Sequence, residues 1–196
     1  MLQGARHVHM TALRDAAEQL EIDIEIHELR KASDIEQAQL SAMVIPGGES
    51  TTMRLTGNAE ISKLLPALFD WIRADEARPV LATCAGAILM AEPDDGGEPL
   101  IDATVDRNAF GSQADSFEAE LDSPLLGHGF PGVFIRAPRF TSVGNNAEVA
   151  ATLGGETVGV RQGGRLALTF HPELSGDIRF HVWLLEQANG NRVVKV

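Results

Sequence analysis

The chain is poor in cysteine and in lysine. Its one cysteine, Cys84, cannot close an internal disulfide, so a reducing cytoplasm is the expected compartment. Only three of the sixteen basic residues are lysines, Lys31, Lys63 and Lys195, and the net charge is -12. Nucleic-acid surfaces need a basic patch, so that class of partner is excluded as a general function. An acidic, lysine-poor surface suits a high-salt cytosol. No apolar run approaches the roughly 20 residues of a membrane span. The N-terminus, MLQGARHVHM, lacks the apolar stretch of a signal peptide. There are no repeats, low-complexity tracts or linker-like stretches. His7, His9, His27, His128 and His181 show no metal-ligand spacing with the cysteine and read as surface or satisfied polar residues. What remains is a soluble globular chain of 196 residues, enough for one domain, residues 1–196, with a full core.

Hydrophobic periodicity gives the layout. Met10, Leu13, Ala16, Ala17 and Leu20 fall at helical spacing, and Ile22, Ile24 and Ile26 then alternate with polar residues as a half-buried strand. Ala42 to Pro46 predicts a short strand ending at PGGEST, and Ile61 to Asp75 predicts a helix. Val80 to Ala82 reads as a buried strand and Ala85 to Ala91 as the next helix. Alternation of helix and strand is the parallel α/β pattern. Beyond Leu100 the segments Leu100–Val105, Ser116–Leu121, Gly132–Ile135, Glu148–Leu153, Thr157–Gln162 and Arg165–Phe170 read as strands, several split by Gly-Gly turns. A last helix is expected from Asp177 to Ala188. The expected fold is therefore α/β, with a mainly parallel sheet, helices on both faces and accessory β hairpins. Such folds usually open on a buried strand, whereas this chain passes from Met1-Leu2-Gln3-Gly4 almost directly into a helix. The first strand is expected to be truncated, and a start codon placed too late would account for it.

Cys84 lies where strand meets helix, in Ala82-Thr83-Cys84-Ala85-Gly86. This is the small-x-nucleophile-x-small spacing of a nucleophile elbow, in which a sharp turn lifts the side chain above the sheet. The helix start favours a thiolate through its dipole and free N–H groups, and the Ala85 N–H can donate to an oxyanion. Free cysteine is also among the most buried residue types, so the elbow alone leaves a structural thiol open. In LALTFHPEL, His171 and Glu173 stand two apart and point the same way in extended backbone, with Pro172 stiffening the pair. A carboxylate beside an imidazole fixes its tautomer and stabilises the imidazolium. In Ile45-Pro46-Gly47-Gly48-Glu49-Ser50, paired glycines after a strand bring N–H groups close to a ligand, and Gly48 is a candidate second oxyanion donor. The alternative is a tight turn with Ser50 capping a short helix. Arg107, in a polar turn, and Arg136, ending the apolar strand Val133-Phe134-Ile135, are either ligand contacts or surface ion pairs.

PGGEST, TCAG, DRNAFG, DSFE, VFIRAP and FHPEL together resemble the glutaminase subunits of pyridoxal 5′-phosphate synthase. These belong to the class I, or triad, glutamine amidotransferases. The resemblance runs collinearly from Gln3 to the terminal helix and implies a flavodoxin-like three-layer sandwich. It implies that Cys84 is the nucleophile, His171 the base and then acid, and Glu173 its orienting carboxylate. Gly48, Glu49 and Ser50 match the glutamine-binding loop, Arg107 a glutamine-binding arginine, and Ile135 and Arg136 a segment at the same site. Gln3 matches a glutamine near the oxyanion site and partner interface, and His9 the histidine that follows it. The implied reaction is hydrolysis of L-glutamine to glutamate and ammonia, without metal or cofactor. The ammonia passes to a separate synthase subunit that builds pyridoxal 5′-phosphate from a pentose phosphate and a triose phosphate, and that also activates the glutaminase. The chain departs from the family at Ala82, where glycine is usual, at Ser112, where a basic residue is usual, and in the missing opening strand. Two alternatives stay open. One is another cysteine-elbow α/β hydrolase or amidotransferase. The other is a non-catalytic docking module.

Overall fold

A computed structural model of the chain describes residues 6–107, 109, 116–188 and 193–196. Helix α1 (Arg6–Leu20) leads to strand β1 (Asp23–Glu25), helix α2 (Ala32–Ala38) and strand β2 (Met43–Ile45). Helices α3 (Ser50–Gly57) and α4 (Leu64–Arg73) precede strand β3 (Val80–Thr83) and helix α5 (Ala85–Ala91). The second half contributes β4 (Ala103–Asp106), β5 (Phe117–Ser123), β6 (Gly127–Phe134), β7 (Arg139–Val143), β8 (Glu148–Leu153), β9 (Glu156–Gln162) and β10 (Arg165–Leu168). A 3₁₀ turn (Pro172–Leu174), helix α6 (Arg179–Ala188) and strand β11 (Val193–Lys195) follow.

Seven strands pair in the order β2-β3-β10-β9-β8-β5-β6. The β2, β3 and β10 segment is parallel, and β9, β8, β5 and β6 extend it with antiparallel pairings. The accessory hairpins thus continue the sheet itself, while β4 and β7 form a separate antiparallel pair. Strand alternation sorts the core into two layers. Val80 and Ala82 of β3 and Ala167 of β10 pack with α4 and α5, beside Leu65, Phe69, Ile72 and Leu89. Leu81, Leu166 and Leu168 face the other way, against Leu13 and Ala16 of α1 and Phe180 and Leu184 of α6. This is the expected three-layer α/β arrangement. On the second face Phe130, Phe170 and Phe180 stack edge-on, with Phe130 and Phe180 centroids 4.7 Å apart. Among the described residues no helix is long and apolar enough to cross a membrane.

The place expected for an opening strand is held by the other end of the chain. Strand β11 pairs parallel to β1, with Ile24 opposite Val194. On its far side the Lys195 carbonyl accepts from the N–H groups of Ser41 and Ala42, at 2.8 and 3.1 Å, just before β2. Val194 and Val196 are buried there. Periodicity did not reveal β11, α2 or β7, because segments this short carry too few repeats to show a period. Helix α4 starts later than expected because Lys63 takes a left-handed conformation (φ 45°), which leaves Ile61 exposed outside it.

Candidate active site

The parallel segment places three loops at the carboxyl ends of adjacent strands, the usual position for ligands in open α/β sheets. β2 runs into Pro46-Gly47-Gly48, β3 into Cys84, and β10 into Phe170-His171. Cys84 adopts φ 48° and ψ -108°, a conformation L residues avoid. The turn is the expected nucleophile elbow, and α5 starts at the next residue. Its backbone is pinned by the Cys84 N–H donating to the Leu168 carbonyl at 2.8 Å. A Cβ on Gly86 would lie 2.2 Å from the Ile45 carbonyl oxygen, so α5 can pack against β2 only with glycine there.

His171 and Glu173 sit in and beside the 3₁₀ turn, both buried, with His171 Nδ1 2.7 Å from Glu173 Oε1. Nδ1 donates to the carboxylate, which leaves Nε2 for the thiol side. Burial opposes charge on the ring, yet hydrogen bonds to Cys84 and Glu173 outweigh it and push the His171 pKa up to about 10. Burial likewise works against the Glu173 carboxylate, but the hydrogen bond from His171 and the field of His9 bring it below its ordinary value. His171 thus carries its proton at neutral pH, between a carboxylate and a sulfur. Gly47 borders this group closely: its Cβ would meet His171 Cε1 at 2.5 Å. Cys84 Sγ also reaches the Ile135 carbonyl at 4.0 Å.

Glu49, not Ser50, caps α3. Its carboxylate accepts from Thr51 N–H (2.9 Å), Thr52 N–H (2.7 Å) and the Thr52 hydroxyl (2.7 Å), which hold its pKa down at about 2. Ser50 is the first helical residue, and the loop is ordered by the side chain beside it. Arg107 donates to Glu92 at 2.9 and 2.6 Å. Arg136 also takes a left-handed conformation (φ 46°), which turns the chain after β6. A cavity of about 600 Å³ brings together Gly48, Glu49, Ser50, Cys84, Ala85, Arg107, Ile135, Arg136 and His171. Residues far apart in sequence therefore line one cavity, with Glu173 behind His171. Gln3 lies outside the described residues, as does most of the segment after Arg107.

Spacing and periodicity missed two side chains. His9 and His181 are buried directly behind Glu173, with His9 Nδ1 2.9 Å from His181 Nε2. The signal was present in the helical phase, since His9 precedes Leu13 and Ala16 by four and seven on the buried face of α1.

Over residues 1–190 the chain matches the model of the SNO glutamine amidotransferase family. The chain belongs to this family. It is similar to the pyridoxal 5′-phosphate synthase subunit PdxT of Oenococcus oeni, at 41% identity over 97% of this chain and 95% of that one. The subunit of the same name from Pelotomaculum thermopropionicum is 44% identical over 95% of this chain and 91% of its own. A crystal structure of a glutamine amidotransferase superposes with a TM-score of 0.78, at 40% identity and 95% coverage of both chains. A putative GMP synthase protein from Thermoplasma acidophilum shares the fold alone, at TM-score 0.63 and 15% identity over 95% of this chain and 87% of its own. Within the SNO family, then, this member sets its elbow cysteine, buried His-Glu pair and glycine loop around one cavity.

Proposed function

We propose that this SNO-family chain hydrolyses L-glutamine to L-glutamate and ammonia and delivers the ammonia to a synthase subunit that makes pyridoxal 5′-phosphate, in the cytoplasm. The observation that carries the reading is Cys84 on an elbow of positive φ, in one cavity with His171, whose imidazole a buried carboxylate holds at 2.7 Å. An amino acid fits the cavity of about 600 Å³ in front of it. The names of the relatives supply the destination of the ammonia.

The Cys84 sulfur, whose proton His171 has taken at Nε2 as general base, attacks the side-chain amide carbon of glutamine, and the N–H groups of Gly48 and Ala85 receive the negative oxygen. Collapse breaks the C–N bond while His171 passes its Nε2 proton to the leaving nitrogen, giving ammonia and a γ-glutamyl thioester. His171, now neutral, takes a proton from water, and the resulting hydroxide attacks the thioester. Glutamate leaves, and sulfur and imidazolium return to their starting state. Glu173 keeps the ring in one tautomer throughout. Glu49, Ser50, Arg107, Ile135 and Arg136 line the walls that orient glutamine; Arg136 makes no ion pair among the described residues and suits the substrate carboxylate. Gln3 is assigned to the oxyanion site and partner interface by resemblance.

The test is glutamate release by the purified chain mixed with a matching synthase subunit. Release is expected from the mixture, and Cys84→Ala should bind the partner yet release nothing. No release from a folded mixture would overturn the glutaminase reading, and an active Cys84→Ala chain would overturn the nucleophile.

A further inference from the structure

We propose that His9 and His181 are positioning residues for the triad, forming with Thr83 a buried relay that fixes both Glu173 and the loop at Gly47. This rests on the glutaminase reading of the Cys84 site. The members come from four separate places: His9 from α1, Thr83 from the end of β3, Glu173 from the 3₁₀ turn and His181 from α6. All are sealed from water, at 2%, 0%, 5% and 0% exposure for His9, Thr83, Glu173 and His181. Polar groups placed this deep need partners, and here they find them chiefly in one another.

The proton positions follow link by link. Glu173 Oε1 is taken by His171, at 2.7 Å. Its other oxygen, Oε2, is buried and lies 3.4 Å from His9 Nε2. A carboxylate only accepts, so His9 must turn a proton-bearing Nε2 toward it. The same N–H lies 3.3 Å from Thr83 Oγ1, with which it forms its hydrogen bond, while Glu173 Oε2 sits at ion-pair distance and has no hydrogen-bond partner among the described residues. Burial lowers the pKa of His9 against the pull of Glu173, so the ring is neutral and its Nδ1 is an acceptor. His181 Nε2, 2.9 Å away, therefore donates, and His181 Nδ1 is left bare. That atom is indeed buried without a hydrogen-bond partner among the described residues. Burial and the neighbouring His9 push His181 down to about 3, so it is neutral too. The titratable groups facing His9 are Glu173, His171 and His181.

The second arm runs through Thr83. Its hydroxyl oxygen accepts the Gly47 N–H at 3.0 Å. The loop beside the nucleophile and the carboxylate behind the base thus hang on one histidine. Catalytic hydrogen bonds are often long before substrate binds and tighten as charge develops, so the 3.4 Å contact is placed to strengthen when Glu173 needs it.

The experiment uses three variants, His9→Leu, His9→Gln and His181→Phe, each as the full chain in complex with its synthase subunit. Two readouts are taken: steady-state glutamate release, and the rate at which iodoacetamide alkylates Cys84 at neutral pH without glutamine. Because Cys84 is the only cysteine of this chain, alkylation measured on the separated chain by its mass reports this site alone. His9→Leu should lower kcat by about tenfold to a hundredfold, the scale on which outer partners of metal-bound histidines act, with KM for glutamine changed less than about twofold. Its alkylation should slow in parallel. His9→Gln, whose amide can still donate to Glu173, should recover most of both rates. His181→Phe removes the donor that fixes the His9 tautomer and should fall between. A folded His9→Leu chain with unchanged kcat and alkylation would overturn the relay. So would a His9→Gln chain that is folded but no better than His9→Leu. If His9→Leu does not fold, the other two decide: His181→Phe must lose rate and His9→Gln must keep it, and the reverse overturns the proposal. Wild-type alkylation without glutamate release would instead count against the glutaminase reading.

Discussion

Gly47→Ala probes the site through a single methyl group. Its Cβ would stand 2.5 Å from His171 Cε1 and 3.2 Å from both His171 Nδ1 and Cys84 Cβ. Carbon atoms pack at about 3.5–4.0 Å, so roughly 1 Å of room must be found. The imidazole cannot easily yield it, because Nδ1 is tied to Glu173 at 2.7 Å and the His171 N–H to the Val133 carbonyl at 2.8 Å. If the loop gives way instead, the Gly47 N–H loses Thr83 Oγ1, now at 3.0 Å. Either route displaces a reacting group by about 1 Å, which costs on the order of 100-fold in rate. That is about 2.7 kcal/mol of transition-state stabilisation. Stability should fall by only ~1–3 kcal/mol, as for other overpacking changes. The assay is kcat and KM for glutamate release at saturating levels of the synthase subunit, together with thermal unfolding. Gly154→Ala is the control for activity: Gly154 sits in a turn (φ 56°) with nothing among the described residues within 4 Å of its Cβ, so the substitution strains that turn and lowers stability while kcat should not change. A folded Gly47→Ala chain within about threefold of wild-type kcat would refute the argument that the methyl group displaces the triad.

Four further outcomes are expected. Glu49→Ala removes the cap of α3 at the cavity wall and should raise KM for glutamine by about tenfold with a smaller effect on kcat; an unchanged KM contradicts its place in the binding loop. Acid should destabilise the chain early: His181 is held at about 3 against 6.5, so only the unfolded state gains its proton as pH falls from 6.5 toward 3. That costs about 1.4 kcal/mol per pH unit for His181, with His9 adding in the same direction, and urea unfolding at successive pH values would read it. His171 does not offset this, because its raised pKa gives a contribution already complete below 6.5 and lost only as pH rises toward about 10. Arg165→Met leaves the carbonyls of Leu100 and Ile72, each now 2.8 Å from its guanidinium, without their donor, and should cost ~2–5 kcal/mol in urea unfolding at unchanged kcat. Deleting residues 193–196 should cost about 3–6 kcal/mol through Val194 and Val196 alone, and equal stability would contradict the pairing of β11.

The site was more legible than the sheet. Cys84, His171 and Glu173 could be read because elbow spacing and an i, i+2 pair are local patterns with few structural uses. Their meeting across the fold was not local, and only the collinear resemblance anticipated it. Gly48, Glu49 and Ser50 read as a glutamine-binding loop, with a Ser50 helix cap as the alternative; serine is the commoner cap, but here the Glu49 carboxylate takes the role by accepting from Thr51 and Thr52. The pairing of His9 with His181 was passed over because each alone is unremarkable; only α1 packing on α6 brings the rings together. The pairing of β11 with β1 joins residues about 170 positions apart, and no local periodicity encodes such a contact.

That last pairing sets a timetable. The ribosome releases β1 to β10 well before residues 193–196, yet β1 meets no strand other than β11 in the described sheets. Helix α1, which precedes the described strands along the chain, packs on α6, which follows β10. The His9–His181 contact behind Glu173 therefore waits for α6 to be synthesised. Until then α1 has only the sheet side of its apolar face covered, by Leu81, Leu166 and Leu168, and its α6 side stays open to aggregation and to chaperones. The packing behind Glu173 is thus completed late in synthesis, when α6 brings His181 to His9.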